Sequence, residues 1–250
     1  MTMEIYCKSA LSKSKLPGID YSLNPYFGCS YSCIYCYVPS LFNVERSEWR
    51  NVKVKKNMPD VLKKELRKKR KGIVGISSST DAYQPLEKQY EITKKCLSML
   101  STYKWPIDIL TKSDFFTRDL KIIKECNAKV GVTITTFNEE ILQLWEPYAP
   151  NPENRLKAIQ KFADEGIFTY IFFGPVFPLM KKDELNYCIE EFISAGVDEI
   201  IVDCLHLKRG VIESISKVFP NIIKYRKAHE DIFIEAKKIA EGKIAITKAW

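Results

Sequence analysis

Residues 20–37 read DYSLNPYFGCSYSCIYCY. A strand-like run, DYSLNPY (20–26), leads straight into a loop with three cysteines, Cys29, Cys33 and Cys36. Tyr35 and Tyr37 flank the last of them. A structural zinc ion takes four ligands, usually from two paired half-sites. No second cysteine pair of that kind follows. The loop therefore reads as an incomplete zinc site, a piece of a disulfide framework, or a metal site left open.

The segments beyond the loop set the architecture. Strand candidates recur at GIVGIS (72–77), IDILTKS (107–113), KVGVTITT (129–136), GIFTYIFFG (166–174) and DEIIVDCL (198–205). Between them lie segments of helical length and spacing: 59–70, 86–103, 117–126, 152–166, 182–196 and 211–219. Pro59 suits a first helical turn, and Gly166 and Gly196 stand where helix C-caps are expected. Six strands, each followed by a helix, predict a parallel sheet, and their near-continuous apolar runs predict cover on both faces. The pattern fits either an open doubly wound sheet or an incomplete (β/α) barrel. Both gather ligands at the strand C-terminal ends. The tail, 231–250, reads as a short helix or strand addition. One domain is expected over 1–250, with a core of about 18–228 and a C-terminal extension at 229–250.

Composition narrows the chemistry. The 250 residues are 46% apolar and 28% charged, which predicts an ordered globular protein. The longest apolar stretch, 166–180, is broken by Gly174, Pro175 and Pro178, so no membrane span is expected. The N-terminus shows no signal-peptide apolar region, and a cytoplasmic setting is expected. Disulfides are disfavoured there. Five of the eight cysteines, Cys7, Cys96, Cys126, Cys188 and Cys204, stand singly. Net charge is +8 (39 basic minus 31 acidic) and permits an acidic partner without requiring one. The most basic stretch, KKELRKKRKG (63–72), reads first as a solvated helix face and second as a phosphate-contacting patch.

Three thiolates on a four-iron cluster leave one iron free to bind a further molecule. The Cys-x3-Cys-x2-Cys spacing after a first strand, with Tyr35 before the last cysteine, resembles the cluster motif of the radical S-adenosylmethionine (SAM) superfamily. KSKLPGIDYSLNPYFGCSYSCIYCYVPS, SSTDAYQPLE, TKSDFFTRDL and EPYAPNPENRLKAIQKFADEGI together resemble the DNA repair photolyase group, relatives of spore photoproduct lyase. The likeness runs from about residue 10 to 205. It implies an α/β fold, a partial (β/α)6 barrel of the radical SAM type with a short C-terminal extension. It implies a [4Fe–4S] cluster on Cys29, Cys33 and Cys36, with the SAM amino and carboxylate groups on the fourth iron. An external one-electron reductant, flavodoxin- or ferredoxin-like, would drive SAM cleavage to a 5′-deoxyadenosyl radical that abstracts hydrogen from substrate.

Within that reading each strand end has a task. Ser78, Thr80 and Asp81 offer acceptors to the SAM amino group. Lys112 and Arg155 offer a cation to its carboxylate. Thr133 and Thr135, alternating onto one strand face, suit the ribose, and Tyr35 with the 172–176 segment suits the adenine. Each has a plainer competitor: Arg155 as an exposed helix residue, Lys112 paired with Asp114, the threonines as strand formers. Spore photoproduct lyases carry a hydrogen-donating cysteine just after the second strand; here the sequence is SSSTD (77–81), which puts thymine-dimer reversal in doubt. Tyr37 is either a hydrogen relay or a packing ring, and Cys204 either a substitute donor or a buried thiol. A nucleic-acid base or lesion, a peptide and a small metabolite are all open as substrate. The competing class is a non-catalytic metal- and nucleic-acid-binding protein with Cys7 as fourth ligand.

Overall fold

The computed structural model describes residues 3–208, 210–221, 224 and 229–249. The chain opens with short strands β1 (Met3–Ile5), β2 (Leu11–Lys13), β3 (Tyr21–Leu23) and β4 (Tyr26–Phe27). Helices α1 (Val38–Leu41) and α2 (Arg46–Trp49), strand β5 (Lys53–Lys55) and helix α3 (Met58–Leu66) follow. Strands β6 (Val74–Ile76), β7 (Ile107–Thr111), β8 (Ala128–Ile134), β9 (Phe168–Phe173), β10 (Glu199–Val202) and β11 (Ala245–Lys248) complete the main sheet. Between them run α4 (Glu87–Tyr90), α5 (Ile92–Thr102), α6 (Leu120–Lys124), α7 (Glu139–Trp145), α8 (Pro152–Asp164), α9 (Lys182–Ser194), α10 (Val211–Ser216) and α11 (His229–Ile239).

The strand order decides between the two expected architectures. It runs β11-β10-β9-β8-β7-β6-β3-β2, and every pairing is parallel except β2 with β3. A doubly wound sheet reverses direction at a switch point. Here the order advances one way only, so right-handed crossovers bring the helices to one face. The result is a barrel wall. It stops at β2 and β11, which do not pair with each other among the described residues. All six expected strands are present, and β11 adds a seventh parallel one beside β10. A separate small sheet joins β1, β5 and β4.

Alternation along the strands separates two faces. Val74, Ile76, Ile107, Ile109, Val130, Val132, Ile171 and Ile200 are buried in one core with Leu97, Leu100, Ile159, Phe162, Ile189 and Phe192 of the helices. The opposite face carries Gly75, Asp108, Lys129, Gly131, Thr133, Tyr170 and Glu199, aligned by register. Tyr170 lies flat on Gly131: an added Cβ there would stand 2.3 Å from the ring. Its hydroxyl donates to Asp108 Oδ1 at 2.8 Å, and Lys129 Nζ pairs with Glu199 Oε2 at 2.7 Å. Thr247 donates to Glu199 at 2.7 Å and ties β11 into this floor.

Gly166 and Gly196 both adopt φ +70° just past α8 and α9, as expected of C-caps. The segment 86–103 is two helices, because Glu91 takes a left-handed conformation (φ 51°). The buried Glu87 carboxylate then accepts from the amides of Thr93 (2.9 Å) and Lys94 (3.1 Å), capping α5. The basic stretch lies at the wrong end to serve the cysteines. Tyr21, which opens β3, donates to the Arg70 carbonyl, and Arg67 donates to Tyr103, which precedes β7. These are strand N-terminal ends, so the basic residues of 63–72, in the last turn of α3 and the turns after Leu66, stand away from the cysteine loop. Among the described residues no helix is long and apolar enough to cross a membrane.

Candidate active site

The cysteine loop hangs from the C-terminal end of the first barrel strand. Gly28 (φ +95°) admits no side chain: a Cβ would meet the Trp49 carbonyl at 2.7 Å. That approach lets the Cys29 amide donate to the same carbonyl at 3.0 Å. The Cys36 amide donates to the Cys33 carbonyl at 3.1 Å. From outside, the Arg46 guanidinium donates to the carbonyls of Cys33 (3.1 Å) and Cys36. From below, fully buried Gln84 accepts from the Ser30 amide at 3.2 Å and donates to Thr80 Oγ1 at 3.0 Å. Thr80 in turn donates to the Gly28 carbonyl at 2.5 Å. Thr80, a cofactor candidate by sequence, is thus engaged in holding the loop.

Cys29, Cys33 and Cys36 line one cavity of about 230 Å³, with Arg46, Arg50 and Ser214 on its walls. Burial pushes all three thiols up, Cys33 to about 12, and Asp81 and the other two thiols add to the rise at Cys29. The bare loop therefore holds protons, and a metal centre that displaces them gains three thiolates at once. No three His, Cys, Asp or Glu side chains among the described residues converge on the position of a single ion. The ligands of a cluster meet different irons and need no such convergence. Cys7 is not on the cavity wall; its amide donates to Asn57 Oδ1 at 2.8 Å and it packs on the main core. The donor set fits an open cluster better than four-ligand zinc.

The remaining strand ends are not on that cavity wall, which is formed by the loop, Pro39, residues 46–50 and Ser214. Ser77, after β6, is buried at φ 67°, and its hydroxyl has no partner. Ser78 Oγ accepts from Asn24 Nδ2 at 3.3 Å. Asp81 is a brace: it accepts from the Tyr83 amide (2.9 Å), Thr111 Oγ1 (2.7 Å) and the Lys112 amide (2.8 Å). Thr135, at the end of β8, is fully buried with an unpartnered hydroxyl.

Arg155 is not an exposed helix residue. Its guanidinium is buried and donates twice to the Pro150 carbonyl (2.8 and 2.5 Å) and once to the Thr133 carbonyl (2.8 Å). It pairs with Glu146 Oε2 at 2.6 Å. Glu146 is a candidate site residue that the sequence did not single out. The Tyr35 hydroxyl donates to its other oxygen, from which Lys112 Nζ is 4.0 Å away. Lys112 also stands 5.6 Å over the Tyr35 ring, so its neighbour is Glu146 rather than Asp114. Burial would raise the Glu146 carboxyl, but Arg155, Lys112 and the hydrogen bonds hold it below its ordinary value. Tyr35 itself packs 5.1 Å from Trp145, against a small apolar cluster with Phe177 and Leu205. Tyr37 is 43% exposed, with Lys208 Nζ 5.0 Å over its ring. Cys204 follows β10 and is half-buried.

The family model of the Radical SAM superfamily matches residues 23–201. The chain belongs to the radical SAM superfamily. It is 35% identical over 179 residues to an uncharacterised protein of Methanocaldococcus jannaschii, covering 70% of this chain and 68% of that one. It is 26% identical over 241 residues to a radical SAM Nα-GlyT isomerase of Pseudomonas phage M6, covering 88% of this chain and 47% of the isomerase. The chain spans about two thirds of the M. jannaschii relative and less than half of the isomerase. Among solved structures, a spore photoproduct lyase variant superposes with a TM-score of 0.77 at 14% identity, covering 98% of this chain and 80% of the lyase. SuiB of Streptococcus suis bound to SAM gives a TM-score of 0.59 at 14% identity, over 93% of this chain and 51% of SuiB. These likenesses establish the radical SAM partial barrel. As a radical SAM enzyme the protein uses a [4Fe–4S] cluster and SAM. Bound together, they would supply radical chemistry, with Cys29, Cys33 and Cys36 as the residues that would hold the cluster.

Proposed function

We propose that this radical SAM enzyme cleaves SAM reductively at the Cys29–Cys36 loop and abstracts hydrogen from a nucleic-acid base or lesion. The observation that carries the reading is the gathering of all three loop thiols on one cavity, in the loop that follows the first barrel strand. Cys29, Cys33 and Cys36 would hold the cluster. Lys112 would meet the SAM carboxylate, since the donors of Arg155 are largely taken up within the protein. The buried, unpartnered hydroxyls of Ser77 and Thr135 would accept or donate to SAM, joined by Ser78, Asp81 and Thr133 at the same strand ends. A flavodoxin- or ferredoxin-like protein would deliver the electron. Tyr37 and Cys204, next to the loop and after β10, are the candidates for returning hydrogen to the product.

The nucleic-acid assignment is supported by Arg46 and Arg50 on the cavity wall and Lys208 over Tyr37. A spore photoproduct lyase of the same fold has been solved with a dinucleoside spore photoproduct (TM-score 0.75). A base inside a duplex would have to leave the stack to reach such a cavity.

Anaerobic reconstitution with iron and sulfide tests the first part. The expected product is a brown protein with about four irons per chain that releases 5′-deoxyadenosine from SAM and dithionite. Cys33→Ala should abolish that release. Zinc bound by four protein ligands, or a fully active Cys33→Ala, overturns the reading. For the substrate, 5′-deoxyadenosine yield is measured with undamaged and ultraviolet-damaged oligonucleotides. Stimulation by either supports a nucleic acid. Stimulation only by peptides or small metabolites removes it.

A further inference from the structure

Arg155 and Glu146 are buried, and Lys112 partly buried, beside the cluster loop. Arg155 spends its charge on Glu146 Oε2 at 2.6 Å and its remaining bonds on the Pro150 and Thr133 carbonyls. Lys112 approaches Glu146 Oε1 only to 4.0 Å, longer than a hydrogen bond. The trio therefore carries one unit of positive charge beyond neutrality, and that surplus sits on Lys112, over the Tyr35 ring at 5.6 Å. Glu146 also reaches the loop. Its Oε1 accepts from the Tyr35 hydroxyl, while the preceding carbonyl, that of Trp145, accepts from the Ile34 amide at 3.1 Å. Both residues of the arm between Cys33 and Cys36 are thus held by the segment that ends α7.

We propose that Glu146 is a positioning residue with two effects. It fixes Tyr35, and with it the Cys33–Cys36 arm. By neutralising Arg155 it also leaves Lys112, of the two cations, as the one with charge to spare for an anionic group of the cofactor. The inference rests on the SAM reading of the cavity. Arg155, which the sequence offered as a carboxylate ligand, then works through Glu146 and bridges it to the end of β8. The arrangement gives a role to a buried arginine and a buried glutamate set so close to a lysine. An Arg–Glu pair alone would leave the site neutral, and a lysine alone would have no fixed place.

Glu146→Gln keeps the shape and removes the charge, and Tyr35→Phe removes only the hydroxyl contact. Both are reconstituted anaerobically, assayed for iron and sulfide, and titrated by calorimetry with S-adenosylhomocysteine, which is not cleaved. The electron paramagnetic resonance spectrum of the reduced cluster is recorded with and without SAM. A charge-assisted contact of this kind is worth about a tenfold change in affinity. The expected result is normal iron content, roughly tenfold weaker binding in each variant, and less than the product of the two losses in the double variant. The SAM-induced spectral shift should be reduced in step. Wild-type affinity and spectrum in Glu146→Gln overturn the inference. If Glu146→Gln fails to load iron, Tyr35→Phe decides, because it leaves the Glu146–Arg155 pair intact: unchanged affinity there overturns the hold on the arm. A wild-type protein that neither binds S-adenosylhomocysteine nor cleaves SAM sinks the SAM reading instead.

Discussion

Glu146 is ionised where a lone carboxylate would not be. Burial favours its neutral form, and the opposing pull of the Arg155 ion pair, Lys112 and the Tyr35 hydrogen bond wins. Its folded pKa therefore lies below the ordinary glutamate value of about 4.3. The stability this ionisation contributes is fully present above that ordinary value. It is lost as pH falls through the folded value, because only then does the native carboxylate take up its proton. Melting temperatures of wild type and Glu146→Gln should be well separated at pH 7 and draw together as pH falls below the ordinary glutamate value. A constant gap across that range would show that the pair is not what stabilises the neutral-pH protein. The cysteines were legible in the sequence because their grouping is local: three thiols in eight residues need no tertiary information. Glu146 and Gln84 were not, since a buried ionic or amide clamp leaves no periodic trace. The partners of Glu146 come from positions 35, 112 and 155.

At the level of single elements, the strands read clearly because both faces impose a pattern. One face is apolar under helices, and the other is packed against its own side chains. Gly131 in the middle of β8 shows how tight the second face is. A methyl group there would stand 2.3 Å from the Tyr170 ring and drive it off Asp108, whose carboxyl burial already pushes up. Gly131→Ala should lower stability by about 1–3 kcal/mol, measured as urea midpoint. Adding Tyr170→Leu should recover part of the loss; a neutral single variant would show that the ring yields freely. The elements that escaped sequence reading have weak local signals. Strands β1, β2 and β5 are three residues each, too short for an alternation that sequence can recognise. The break at Glu91 lies inside an unbroken helical pattern, and only the distant cap from Glu87 makes it affordable. Helix α7 does carry a start signal, Asn138, whose side chain accepts from the Ile141 amide at 3.1 Å.

On the scale of the molecule, the one-way strand order is what turns an ambiguous set of βα units into a curved wall. Spacing alone did not distinguish a doubly wound sheet from a barrel, because both use the same units and differ only in which neighbour each strand takes. The tail belongs to that wall: β11 covers the edge of β10 through four paired positions, Glu199 to Val202 against Ala245 to Lys248. Removing residues 229–250 should bare that edge and cause association. Size-exclusion chromatography should then show soluble aggregate or loss of monomer. A monodisperse truncated protein with an unchanged melting temperature would mean that β10 tolerates a free edge.

The two margins at β2 and β11 have one more consequence. A closed ring of strands can be entered only through its rim, so whatever is worked on inside must arrive end-first or as a loose piece. A wall that stops at β2 and β11 is not closed in this way: its two margins are not tied to each other among the described residues, so the distance between them can change without breaking a strand pairing.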